Sequence, residues 1–161
     1  SDLEDKEEVV IGLSSNQIGF KISKTVFISR LIEGNFPAYD QIIPKSREIS
    51  VEINAPKLAA VTKRAAICSN ERSGAVQYTF KKGMMVVNSS SQNMDFEDEL
   101  EVDYKGKEFQ VSFNPRFVLD ILKNAGEGKI ILDFNTPATP VMARIPGNDN
   151  FTYIVMPLRT Q

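Results

Sequence analysis

Two short stretches, VEINAPK (Val51–Lys57) and VSFNPR (Val111–Arg116), constrain this chain more than anything else in it, because each runs as strand-forming residues into Asn, then Pro, then a base. Asn ahead of Pro is a helix start. The Asn side chain accepts from the first free backbone N–H groups, and Pro in the first turn gives up no hydrogen bond the helix would have made. Leu58, Val61, Ala65 and Cys68 share one face of a helix predicted from about Pro56 to Ser69. Val118, Ile121, Leu122 and Ala125 stripe a second helix that starts after Asn114 and stops at Gly126. A glycine and a strand ending in Phe follow each helix, GAVQYTF and then GKIILDF, with two more strands after that. The unit is strand, helix, three strands, present twice between about Arg47 and Arg159, and the fold class is α+β.

The predicted strands of the first copy are Ile49–Ile53, Ala75–Phe80, Met84–Asn88 and Leu100–Tyr104. Those of the second are Phe109–Phe113, Lys129–Phe134, Pro140–Ile145 and Phe151–Leu158. Ahead of them, Glu8–Leu13, Ile18–Ile22 and Thr25–Ile32 read as the three trailing strands of another copy whose own leading strand and helix are missing, so the chain is expected to begin inside a domain of a longer protein. The segment RLIEGNFPAYDQIIPK (Arg30–Lys45) leads from that partial unit to the complete pair, with its linker from Gly34 to Ser46. It is too apolar and too rich in proline for a solvated connector, and is expected to hold something in place.

The chain has no histidine and a single cysteine, Cys68, which removes most zinc sites, Ser-His and Cys-His nucleophile pairs and any internal disulfide framework. Cys68 reads as a small buried hydrophobe, in keeping with a reducing cytoplasm. No apolar run approaches the ~20 residues of a membrane span, and the start SDLEDKEE is unlike a signal peptide. Nineteen Lys and Arg against 21 Asp and Glu give a net charge of −2, so there is no general attraction for polyanions, though a local basic face fits within that total. Such a face is available: Lys57, Lys63 and Arg64 lie off the apolar stripe of the first helix, and Arg116 and Lys123 share a side of the second. Five such bases without interleaved aromatics suit loose phosphate contact or ordinary solvated helix surface. The acidic run MDFEDELEVD (Met94–Asp103) alternates, placing Glu97, Glu99 and Glu101 on one side, as a solvated sheet face or a charge-protected edge would. GEGK (Gly126–Lys129) is a helix stop, too short for a phosphate loop. In the ending YIVMPLRTQ, Tyr153 and Val155 suit a last strand, while Met156, Pro157 and Leu158, with Pro37 and Ile42 of the linker, are expected to line a groove for a short hydrophobic peptide.

Four ordered motifs, SRLIEGNFPAYDQIIPK, RAAICSNE, FNPRFVLDIL and YIVMPLR, closely resemble the β sliding clamp family of bacterial DNA polymerase III over essentially the whole chain. The resemblance implies the DNA clamp fold, with antiparallel sheets outside and two helices on the inner face. It implies a partial middle clamp domain with its linker over residues 1–44 and a complete C-terminal clamp domain over 45–161. It also implies a non-enzymatic processivity factor without a cofactor, encircling duplex DNA as a head-to-tail homodimer. Lys57, Lys63, Arg64, Arg116 and Lys123 become DNA-facing candidates, and Ile67 and Cys68 lie near the implied subunit interface. Polymerases, including the polymerase III alpha subunit, the clamp loader and repair proteins would dock a short peptide motif. The implied pocket takes Pro37, Gln41 and Ile42 from the linker, Asn114 and Phe117 from the second helix start, Pro140, and Ile154, Val155, Met156, Pro157, Leu158 and Arg159 from the tail. Gln41 stands where many relatives have Arg, and Phe117 where some have Tyr, so peptide preference is expected to differ. Two rivals remain from the residues alone: a small β-rich carrier with an apolar ligand inside a barrel, and, behind it, an enzyme handicapped by the missing histidine.

Overall fold

The computed structural model describes residues 8–34, 38–44, 46–69 and 74–159. They belong to two compact units, Ser1–Ala38 and Tyr39–Gln161. The first holds an antiparallel meander of β1 (Val9–Leu13), β2 (Gln17–Ile22) and β3 (Thr25–Arg30). Every residue of β1 and β3 is exposed, including Ile11, Leu13, Phe27 and Ile28. Three strands without a covered face contribute little stability by themselves.

In the second unit the repeat is visible element by element. The first copy runs β4 (Ile49–Asn54), α1 (Ala55–Cys68), β5 (Val76–Lys81), β6 (Met84–Ser90) and β7 (Asp95–Glu101). The second runs β8 (Phe109–Phe113), α2 (Pro115–Ala125), β9 (Lys129–Phe134), β10 (Val141–Ile145) and β11 (Asn148–Val155). Both helices start as the motif requires: Asn54 Oδ1 accepts from the Lys57 backbone N–H at 2.9 Å, and Asn114 Oδ1 from that of Arg116 at 3.0 Å. Gly126 ends α2 at φ 69°, a left-handed conformation a residue with a Cβ resists.

The two copies do not form separate sheets. One sheet has the order β7-β6-β5-β8 and the other β11-β10-β9-β4, so each copy contributes its leading strand to the other's sheet. The exchange lets β4 pair antiparallel with β9 and β8 with β5. Neither half can close its sheet alone, which makes the pair one folding unit. The helices pack against each other, α1 lying on β6 and β7 and α2 on β9 and β11. Between helices and sheets, Leu58, Val61, Ala65, Val118, Ile121 and Leu122 meet Phe80, Met85, Val87, Ile130, Phe134 and Val141 in one core. Thr62, deep in α1, is satisfied by the Tyr78 hydroxyl at 3.1 Å, and Ser89 Oγ donates to the Ala65 carbonyl at 2.7 Å, tying the helix to its sheet.

Several expectations shift. The first copy's last strand is Asp95–Glu101, not Leu100–Tyr104, because a turn closed by Ser91 N–H to the Met94 carbonyl at 2.8 Å brings the acidic run back along β6. Val102 and Tyr104 are still buried, held by backbone bonds with Gly83 at 3.2 and 2.8 Å. β11 ends at Val155, not Leu158, as the Pro157 ahead of that residue has no N–H to continue a ladder. Cys68 is only partly buried, since the face of α1 that meets the sheets takes in Thr62 instead. Among its described residues the linker forms a 3-10 turn at Tyr39–Gln41.

Candidate functional site

The tail is placed by one backbone bond. Past β11, the Leu158 N–H donates to the Ser112 carbonyl of β8 at 2.7 Å, so a segment leaving one sheet is pinned to the edge strand of the other. An open groove of about 420 Å³ lies there, lined by Gln110, Val111, Ser112, Pro137, Ala138, Pro157, Leu158 and Arg159. It gathers three of the predicted pocket residues, Pro157, Leu158 and Arg159, with Gln110, Ser112, Pro137 and Ala138, which the sequence reading missed. The proline-rich β9–β10 turn, NTPATP, is the sequence signal for Pro137 and Ala138; Gln110 and Ser112 of β8 carry none. Met156 is 56% exposed, while Val155 is buried in the core and supports the tail from beneath. Ile154 stands opposite Met142, and Pro140 immediately precedes β10. Phe117 is 48% exposed on α2, and the Asn114 side chain is engaged as the helix cap. Gln41 and Ile42 are exposed at and just after the 3-10 turn; Pro37 lies outside the described residues.

Across the second sheet, Ile154, Met142, Asp133 and Ser50 align as partners strand by strand. The Asp133 side chain is 1% exposed and accepts from Arg144 Nε at 2.6 Å and from Ser50 Oγ at 2.5 Å, with Arg47 Nε 3.8 Å away. Burial pushes this carboxyl up, but the bonds from Arg144 and Ser50 and the two guanidinium charges outweigh it and hold it below the usual carboxylate range. A depressed folded value means that the Asp133 contribution is complete above the unfolded value near pH ~4 and is lost as pH falls through the folded one. Asp133→Asn is therefore expected to cost about 1–3 kcal/mol at neutral pH and to flatten the acid limb of the stability curve, read by urea melts from neutral to strongly acid pH. Arg47 is the first residue past the linker, so the same cluster reaches the chain where the linker ends.

All five predicted DNA-facing bases are exposed, and α1 contains no acid. Lys57, Lys63, Arg116 and Lys123 make no ion pair among the described residues; Arg64 does, to Asp98 on β7. Asp98 also accepts from the Glu99 backbone N–H at 2.8 Å, and these bonds, the Arg64 one foremost, lower its pKa. The rest of β7 follows the strand period, with Asp95, Glu97, Glu99 and Glu101 outward and Phe96 and Leu100 against the core. It is an edge strand, and Ile67, one turn beyond Arg64, is 74% exposed. Positive charge thus gathers on the helix layer and negative charge on one sheet edge. Among the described residues no group of His, Cys, Asp or Glu is arranged to hold a metal, and no helix is long and apolar enough to cross a membrane.

Two helices side by side on two four-stranded antiparallel sheets that exchange their first strands make a DNA clamp fold. The chain belongs to the DNA polymerase III beta subunit family, whose C-terminal domain matches residues 40–159. It is 28% identical to the beta sliding clamp of Haemophilus influenzae over 154 residues, 95% of this chain and 42% of that protein. A Staphylococcus aureus beta sliding clamp is likewise 28% identical, over 98% of the chain and 42% of the relative. The crystal structure of the DNA polymerase III subunit beta from Pseudomonas aeruginosa matches with a TM-score of 0.81 at 26% identity, over 94% of this chain and 42% of that one. Caulobacter crescentus pol III beta matches with a TM-score of 0.81 at 27% identity, over 94% and 41%. The chain thus spans about two fifths of the length of the curated relatives it matches.

Proposed function

We propose that this chain is the C-terminal part of a bacterial sliding clamp, a non-catalytic processivity factor that holds a replicative polymerase on duplex DNA in the cytoplasm. Residues 1–44 are its share of the middle domain with the linker, and 45–161 its C-terminal domain. The carrying observation is the adjacent pair of helices, whose exposed faces bear Lys57, Lys63, Arg116 and Lys123 without an ion pair among the described residues. Bases spread over a helix layer, with no aromatic beside them but Phe117, suit transient phosphate contact that ignores sequence, which a sliding protein needs.

Met156, Pro157, Leu158 and Arg159, with Ile154, Pro140, Phe117 and the linker residues Gln41 and Ile42, take the short peptide motifs of polymerases, the clamp loader and repair proteins. The exposed Ile67, the half-buried Cys68 and the acidic edge β7 serve a head-to-tail subunit contact in the full-length ring. The rival carrier loses its ground in this domain, because the interior apolar void among Leu58, Phe80, Phe113, Val118 and Ile130 measures about 20 Å³, room for little more than a water.

DNA binding is tested by fluorescence anisotropy with a non-specific duplex across a salt series. Lys57→Gln and Arg116→Gln are each expected to reduce the slope of log K against log salt by about 0.9, equally on unrelated sequences. Slopes identical to the parent's would remove the helix layer from the DNA contact.

A further inference from the structure

The basic helix α1 and the acidic edge strand β7 are joined by one side-chain ion pair, Arg64 to Asp98. Three facts make that pair unusual among the exposed charges. Asp98 is held on both carboxylate oxygens, Oδ2 by Arg64 and Oδ1 by the Glu99 backbone N–H at 2.8 Å, so its orientation is set. Its neighbours Asp95, Glu99 and Glu101 reach no cation among the described residues, so the pair is selective within the strand. Arg64 lies on the same exposed arc of α1 as Lys57, yet among the described residues it alone of the five candidate bases has its charge answered by an ion pair.

We propose that Asp98 holds Arg64 in reserve: strand carboxylate and DNA phosphate compete for one guanidinium, and in the free domain the carboxylate has it. This rests on the reading that the helix layer faces DNA, and it deepens it by removing Arg64 from the resting set of phosphate contacts. The physical ground is that both ligands offer an anionic oxygen to the guanidinium Nη2 that Asp98 Oδ2 takes in the free domain, so a phosphate reaching that N–H must displace the carboxylate. An intramolecular carboxylate weakens the grip on DNA without removing the base. A sliding protein gains from that, since each permanently engaged phosphate adds about 0.9 to the salt slope and acts as a brake. The competition also runs in reverse: a phosphate that captures Arg64 leaves Asp98 as an added free negative charge on β7, so DNA occupancy is felt at the acidic edge.

The test uses this chain, a labelled non-specific duplex and four variants. Asp98→Asn is expected to raise affinity about three- to tenfold at low salt and to steepen the salt slope by about 0.9, the value of one additional phosphate contact. Glu99→Gln removes the same charge from the same strand without releasing an arginine, and its slope is expected to stay at the parent value. Arg64→Gln alone is expected to change affinity less than about twofold, and Asp98→Asn combined with Arg64→Gln to return to the parent slope. An Asp98→Asn variant that binds like the parent or no better than Glu99→Gln, or an Arg64→Gln variant that loses about 0.9 of slope, would overturn the reserve. A carboxyl titration of Asp98 by NMR supplies a readout without DNA: Arg64→Gln should move it upward, and an unchanged curve would equally overturn the pairing. Loss of the effects of Lys57→Gln and Arg116→Gln would instead strike the DNA-facing reading itself.

Discussion

Replacing Met156 by Asp is expected to weaken binding of a Gln-Leu-x-Leu-Phe peptide by about thirtyfold or more, some 2 kcal/mol, with the fold intact. Met156 is the first residue past β11 and is 56% exposed, so the substitution meets no core atom. The parent peptide should bind weakly, because an isolated groove wall offers few anchors. A flexible thioether at such a position covers apolar side chains of varied shape, and an Asp there would have to lose its hydration under the peptide's Leu or Phe. Isothermal titration of parent and variant measures the loss, and a thermal melt confirms that the variant is folded. Equal affinities would remove the tail from the peptide site.

Phe80→Ala is expected to be the most destabilising single change in the domain, at about 3–5 kcal/mol, read as the shift in a urea melt. Phe80 is 1% exposed on β5 and stacks on Phe109 of β8 at 4.7 Å. Its edge contacts reach Tyr104 at 6.1 Å and Phe134 at 5.4 Å. Phe134 belongs to β9 in the other sheet, so truncating Phe80 leaves a cavity where the two sheets meet. The exchanged strands prevent either sheet from yielding independently, and the transition should remain a single cooperative one. A variant with the parent midpoint would mean that the cluster is not the joint between the halves.

The helices were legible because their signals are local. Asn before Pro, an apolar stripe and a closing glycine act within a few residues, and α1 and α2 lie within a residue or so of their expected bounds. Most strands were legible for the same reason. The acidic strand was misplaced because Asp and Glu carry no strand preference of their own; their alternation was plain in the sequence, but only pairing with β6 set where the strand begins and ends. Cys68 misled for a related reason. Helical periodicity marks an apolar side but not how far a sheet extends beneath it, and Thr62, bonded to Tyr78, takes a place the pattern did not assign to it.

The groove was half legible. Its tail residues stand together in the sequence, whereas Gln110, Ser112, Pro137 and Ala138 come from two further elements and are joined to it through the Leu158–Ser112 bond. The pairing of Arg64 with Asp98 was not legible at all, since it depends on α1 crossing β7.

By itself the sequence determined the duplication, the helix starts and the absence of histidine chemistry, since each is written in residue type and short-range spacing. The tertiary structure alone decided the exchange of leading strands, the burial of Asp133 and the separation of a basic helix layer from an acidic edge. Those arise from contacts between residues far apart in the chain, where packing and desolvation, and no local preference, choose the partner.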